Sequence, residues 1–322
     1  MVWTWVMRAG LLLAAVGAGW CLWPAQDADS GFRPAVHSPA FAALRPRVVF
    51  DEGHYNVHTS AGRYRPFAEL LTRHGCRVLP SEGRITAEVL RGADVFVSVN
   101  PLGFKGAAQH AANLAGLERI LRLEVDAFDQ AEIESLAAWV HDGGSALIVA
   151  DHAPTGTAAR RLASAFGVEM MTWWAEDAEH HDQVTRNPGA LVFSRDNGLL
   201  VSHPITDGRS PVERVASVVT FTGQALRPPP HGEVLLRLSP TARHYPFRNA
   251  REEEGRSIAG LAQAVAVAHG HGRVVVIGEA GALSAQLVQL VGSAPMKMGM
   301  NREDTDNRQF ALNLMRWLIE AN

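Results

Sequence analysis

Three short stretches of the chain each deliver a carboxylate directly after an apolar run. Phe50 is followed by Asp51-Glu52-Gly53-His54-Tyr55-Asn56-Val57-His58, Ala150 by Asp151-His152, and Ile277 by Gly278-Glu279. Carboxylates and neutral imidazoles are ligands for zinc, manganese or iron, and either can serve as general base beside a bound water. Asp51, His54, Asp151 and His152 are therefore the candidate metal ligands, with a divalent metal as the candidate cofactor. Asp151, His152 and Glu279 are the candidate catalytic groups. Asp51, Glu52, His54, Asn56 and His58, with Thr222 and Gln224 from later in the chain, are candidates to line a ligand pocket. The same residue types also cap helices and bond stray backbone groups, and one such loop alone is better read that way. Convergence of three loops is what makes a site of them. It requires the segments beginning at 51, 151 and 279 to meet at one rim of a sheet, because ligands of open α/β sheets bind outside the carboxyl ends of the strands.

Other arrangements carry less. Ala178-Glu179-His180-His181-Asp182 is dense in potential ligands but reads as a solvated face. No G-x-S-x-G elbow, Walker A loop or dinucleotide-binding glycine fingerprint is present. The turn that would hold a nucleophile holds Asp151-His152 instead. Cys21 and Cys76 are the only cysteines, so a cysteine-based zinc site is excluded.

The elements that must position these residues follow from periodicity. Residues 47–51, 76–79, 93–99 and 145–150 read as buried strands, and residues 64–74, 87–90 and 129–141 as the helices between them. Gly75 suits the position just past a helix end. Strand and helix alternating at these intervals predict a parallel sheet covered by helices on both faces, an open doubly wound, flavodoxin-like three-layer α/β fold. Residues 102–125 form an Ala-, Gly- and Leu-rich insertion, and residues 172–256 a β-rich insertion on the same core. Gly270-His271-Gly272 predicts a hairpin between residues 262–268 and 273–278. Residues 282–291 are expected to be helical, 296–300 a flexible flap, and 308–319 the closing helix.

At 322 residues and 47% hydrophobic, the chain can bury a large core. The formal charge of −3 and the scattered basic residues argue against a nucleic-acid partner. Arg8 followed by the apolar residues 9–18 has the form of a secretory signal or an uncleaved membrane anchor spanning residues 1–25. Export to the periplasm or another extracytoplasmic location is the shared expectation, with membrane attachment if the segment is retained. Residues 26–46 read as a linker, and the α/β domain as residues 47–322.

The order of Phe50-Asp51-Glu52-Gly53-His54, Gly143-Gly144 before the strand to Asp151, Gly272 to Glu279, and Asp306-Asn307-Arg308-Gln309-Phe310-Ala311-Leu312-Asn313 resembles the class I glutamine-amidotransferase-like superfamily. Within it, the sequence is similar to the domain of gliding-motility transporter accessory and intraflagellar-transport proteins. The resemblance covers about residues 47–171 and 258–320. It implies a flavodoxin-like fold but not glutaminase chemistry, because the family's catalytic Cys is lacking and Cys76 starts a different strand. Relatives of this kind imply a small-molecule or glycan ligand, or an envelope or transporter-associated protein partner. Two functions follow: a non-amidotransferase ligand-binding domain of the cell envelope, or a metal- or base-assisted hydrolase using the Asp/His cluster.

Overall fold

The computed structural model describes residues 25–34, 36, 38–103, 125–246, 250–289 and 294–320. The expected signal or anchor at 1–25 lies, but for its last residue, outside the described residues. So does the expected insertion at 102–125, apart from its ends. In chain order, β1 (Ala25–Ala28) precedes β2 (Arg47–Asp51), α1 (Arg65–Arg73), β3 (Arg77–Ser81), α2 (Ala87–Leu90), β4 (Val95–Val99), α3 (Gln130–His141), β5 (Ser145–Val149) and α4 (Thr155–Ser164). Next come β6 (Glu169–Met170), β7 (Trp174–Glu176), β8 (His181–Asp182), β9 (Asn187–Ser194), α5 (Pro204–Asp207), β10 (Ser217–Val219) and β11 (Leu226–Arg227). The chain continues through β12 (Glu233–Arg237), β13 (Arg243–Tyr245), β14 (Arg256–Ser257), β15 (Ala262–His269), β16 (Gly272–Ile277), β17 (Ala285–Gln289), β18 (Met296–Gly299) and α6 (Asn307–Ile319).

The main sheet runs β3-β2-β4-β5-β16-β15-β11-β6, with β12 also on β15. The pairs from β3 to β16 are parallel, and β15 turns back antiparallel through the expected hairpin. The five parallel strands have the order 2-1-3-4-5, the flavodoxin-like arrangement, whose switch point lies between β2 and β4. Alternation along the strands makes the two core layers. Val48, Phe50, Val97 and Val149 pack with Phe67 and Leu71 of α1 and Phe310 and Leu314 of α6. Val49, Phe96, Ile148 and Val276 pack with Leu90 of α2, Leu136 and Val140 of α3, and Leu162 of α4. Full burial of each such side chain contributes about 1.5–3 kcal/mol.

Local signals account for the helix ends. Asp129 accepts from Glu132 N at 3.0 Å while Glu132 Oε2 accepts from Asp129 N at 3.1 Å, a reciprocal cap that starts α3. Gly75, past the end of α1, has φ +102°, and a Cβ there would meet the Ala42 backbone at 2.8 Å.

Three expectations are corrected. The linker at 26–46 is not one: β1 pairs antiparallel with β17, and Phe32 and Phe41 are buried in the core. Such a strand is chosen by a tertiary partner, and its sequence, Ala-Gln-Asp-Ala, shows no apolar alternation. Residues 282–291 do not form a helix; a short 3-10 turn at Gly281–Leu283 gives way to β17. The 296–300 flap is β18, the other neighbour of β17. Helix-favouring composition yields here to two strands that supply backbone partners.

Asn307 joins α6 to this assembly. Its Oδ1 accepts from Val219 N at 3.0 Å, and its Nδ2 donates to Val219 O at 2.7 Å and to Ala282 O at 3.0 Å. Asn307→Ala leaves these buried backbone groups without partners. The expected cost is about 2–3 kcal/mol, seen as a lower denaturation midpoint. A midpoint equal to that of the unaltered protein would refute this role.

Candidate functional site

Because β2, β4, β5 and β16 are consecutive in the sheet, their carboxyl ends lie side by side, and the segments beginning at Asp51, Asp151 and Glu279 share one rim. The rim is organised as two hydrogen-bonded groups.

The first surrounds Asp51, which is 1% exposed. Its Oδ1 is 2.7 Å from His54 Nδ1, and its Oδ2 accepts from Ser98 Oγ at 2.7 Å and Asn56 Nδ2 at 3.2 Å. His54 Nε2 lies 3.1 Å from Glu132 Oε1, which also accepts from Ile85 N at 3.0 Å. Burial by itself would depress the His54 pKa. The hydrogen bond and charge of Asp51, with the charge of Glu132, outweigh it and raise the pKa above the ordinary value. His54 thus sits between two carboxylates that favour its protonated form.

The second group surrounds Asp151. Asn100 Nδ2 donates to Asp151 Oδ2 at 2.6 Å, Asp151 N donates back to Asn100 Oδ1 at 2.8 Å, and Ala280 N donates to Asp151 Oδ1 at 2.7 Å. Burial of the Asp151 carboxyl pushes its pKa up to about 6, against the hydrogen bonds from Asn100 and Ala280 and the charge of Arg63. Glu279 accepts from Gly281 N at 2.5 Å and from Ala282 N at 2.8 Å. Burial, then the neighbouring Asp151 charge, raises it well above the carboxylate range. His58 Nδ1 accepts from Asn100 Nδ2 at 3.1 Å. Burial, with Arg63 nearby, lowers the His58 pKa to about 3, so the ring is neutral.

These contacts redistribute the expected roles. Asp51, His54, Asp151 and His152 are not gathered as one metal ligand set. His152 stacks on Trp174 with ring centroids 3.4 Å apart, and its Nδ1 is 2.7 Å from Ala153 O. Among the described residues no group of three or more His, Cys, Asp or Glu side chains is arranged to hold a metal ion. Glu279 is a turn cap, with both oxygens already accepting backbone N–H groups. Gln224 does not line a pocket: it is buried, donating to Ala150 O at 3.0 Å and Asp151 O at 2.9 Å and accepting from Thr172 N at 2.7 Å. Glu52 braces its own loop by accepting from Ser60 N at 2.8 Å and Ser60 Oγ at 2.5 Å. Asn56 and His58 are likewise spent on internal bonds. Thr222 is half-buried, with φ +62° and its N–H on Gly189 O at 2.8 Å. The 178–182 stretch is no solvated face throughout, since Asp182 is buried and takes both ends of the Arg302 guanidinium at 3.0 Å.

Ser98, Asn100 and Glu132 escaped the sequence reading. Asn100 follows an apolar strand just as Asp51 and Asp151 do, so the strand-end rule applied to β4 would have found it. Glu132 sits in the Asp-x-x-Glu pattern of a capping box, which announces a cap and not its second bond to His54.

The rim also carries an opening. A crevice of about 430 Å³ lies at the switch point and is lined by His54, Tyr55, Arg84, Phe128, Glu132 and Arg161, among others. Arg84 pairs with Asp129, and Arg161 with Asp126 at 3.2 Å. A groove of similar size along α1 and β3 contains none of the rim groups. Tyr55, Asn100, Thr172 and Thr222 are non-glycine residues with φ between +46° and +62°, and all four stand in loops at this end of the sheet. Such backbone concentrates where the surroundings over-determine it, which is common at binding sites.

No family model matches the sequence, and no curated protein matches it. Among solved structures, the "mmIFT52 N-terminal domain" superposes with a TM-score of 0.59 at 13% identity, covering 84% of this chain and 97% of that one. The relation is one of fold. A ThuA-like protein from Bacteroides uniformis gives a TM-score of 0.42 at 13% identity, covering 89% of this chain and 95% of that one. A GMP synthase protein from Thermoplasma acidophilum gives 0.37 at 10%, covering 86% and 95%.

Two measurements check the electrostatics. His58 is neutral in the fold and has an ordinary pKa when unfolded, so the unfolded chain binds the extra proton below pH 6.5. Its contribution to stability is present above pH 6.5 and is lost toward pH 3, with a limiting slope of about 1.4 kcal/mol per pH unit. In His58→Gln this part of the slope should vanish, so the variant loses less stability than the parent between pH 7 and pH 5 (~2 units of pH). Equal slopes would refute it. In Asp51→Asn the His54 ring should titrate at lower pH by NMR; an unmoved His54 would show that Asp51 does not set its charge.

Proposed function

We propose that this chain is a cell-envelope ligand-binding domain, related to the glutamine-amidotransferase-like group but without its glutaminase chemistry. Its ligand is a small polyhydroxylated molecule, a saccharide, taken into the crevice beside His54. The observation that carries this reading is the commitment of the rim carboxylates. Both oxygens of Asp51, Asp151 and Glu279 accept hydrogen bonds from the protein, so these groups are engaged in bracing the strand ends. The crevice differs. His54, Arg84 and Arg161 are each paired with a carboxylate, so donors and acceptors alternate without surplus charge, which suits hydroxyl groups better than an anion. Cys76 supports the loss of glutaminase chemistry: it is 4% exposed, and burial, with Asp94 nearby, pushes its thiol up to about 12.

The envelope part of the proposal rests on Arg8 and the apolar run at 9–18. An envelope or transporter-associated protein is the partner to which such a domain would present its ligand. A hydrolase remains the second reading, favoured by one observation: the Asp151 carboxyl, pushed up to about 6, is tuned to exchange a proton near neutral pH.

Calorimetric titration with a panel of monosaccharides and disaccharides tests the first reading. Binding is expected, and Arg84→Ala, at an exposed position, should weaken it roughly tenfold without lowering the unfolding midpoint. Failure of every saccharide to bind would end this reading. Turnover of nitrophenyl esters or glycosides that disappears in Asp151→Asn would establish the second.

A further inference from the structure

The loop after β2 has inverted polarity. His54, Asn56 and His58 are 7%, 9% and 5% exposed, whereas Tyr55 and Val57 between them are 48% and 40% exposed. Burial of apolar side chains would turn such a loop the other way. It is held in this orientation by the polar side chains. His54 bonds Asp51 and Glu132, Asn56 bonds Asp51, Ser98 and Val99 O, and His58 bonds Asn100. The backbone between these anchors follows suit. Val57 N donates to Asn100 O at 2.9 Å, and Leu102 N and Gly103 N both donate to His54 O at 3.0 Å. Tyr55, fixed on both sides, adopts φ +53°. This left-handed conformation is unfavourable for any residue with a Cβ and rare for a bulky one, and glycine would occupy it without strain. A half-exposed tyrosine in a glycine conformation, lining the crevice, calls for a reason other than folding.

We propose that Tyr55 is the stacking platform of the crevice: its ring receives the apolar face of the ligand while the paired charges behind it meet the hydroxyl groups. This rests on the saccharide-binding reading above and adds to it the residue that decides which ligands fit. A pyranose has an apolar face of C–H groups and a polar edge. An exposed ring beside alternating donors and acceptors matches both. Preference for sugars with an uninterrupted C–H face follows from this arrangement.

The experiment compares Tyr55→Gly and Tyr55→Phe with the unaltered chain, each by urea unfolding without ligand and by calorimetric titration with glucose, galactose, mannose and their β-linked disaccharides. The glycine variant should unfold at an equal or higher urea concentration, since the left-handed backbone suits it, yet bind the best saccharide at least about tenfold more weakly. The phenylalanine variant keeps the ring and should bind as the parent does. Parental affinity in Tyr55→Gly would overturn the inference alone. Weakened binding accompanied by a lower midpoint would overturn it as well, by showing that Tyr55 shapes the loop and does not meet the ligand. No saccharide binding by the unaltered chain would overturn the reading of the crevice, and this inference with it.

Discussion

Asn100 and Asp151 form the tie on which the rim depends. β4 and β5 are parallel neighbours, and beyond their last paired residues the backbone would lose its partners. Asn100 closes the gap by donating its N–H to Val149 O at 2.8 Å and exchanging two further bonds with Asp151, one to the side chain and one from the backbone. Asp151 carries the connection onward to the loop after β16 through Ala280 N. Gln224 fastens the other side by bonding the carbonyls of Ala150 and Asp151. Bonds to a carboxylate are stronger than neutral ones, and through Asp151 they tie the ends of β4, β5 and β16 together. Tyr64 adds a donor from the start of α1, its hydroxyl bonding Ala280 O at 2.6 Å.

This use of carboxylates sets what the rim can do chemically. A buried carboxylate without partners would be too unfavourable to keep ionised. Ser98, Asn56 and His54 engage Asp51, whereas at Asp151 and Glu279 burial outweighs the hydrogen bonds and raises the pKa of both. Their hydrogen bonds make them struts of the rim. The consequence reaches His54, whose charge is stabilised by Asp51 behind it and Glu132 beside it. His54 with its two carboxylate partners at the switch point, together with two paired arginines, gives the crevice a patterned polar surface. The same internal bonding turns Tyr55 and Val57 outward.

The β-rich insertion belongs to this frame and is not an appendage. Through β11 and β12 it extends the main sheet beyond β15. Asp182 of β8 takes the Arg302 guanidinium in two bonds, and Asn307 ties β10 to the start of α6. The loop holding Thr222 and Gln224 thus reaches the rim from an element anchored at the far end of the chain.

The parallel core was legible in the sequence because its strands are apolar runs and its helices keep a 3.6-residue period. Both patterns are local, and residues such as Val48, Phe50, Leu136 and Phe310 took the faces their spacing demanded. The strand-end rule also located Asp51, Asp151 and Glu279 at one rim. Their orientation was beyond it, because whether a carboxylate faces solvent or a backbone N–H depends on residues far along the chain, as with Asp151 and Ala280. The strands β1, β17 and β18 were illegible for the same reason: their backbone partners, not their side chains, define them. Sequence alone determined the layers and the rim at which the strand-end residues lie. Tertiary structure decided that the acidic groups brace it and that an aromatic ring is what it offers to solvent, since hydrogen-bond partners are assigned only when distant strands meet.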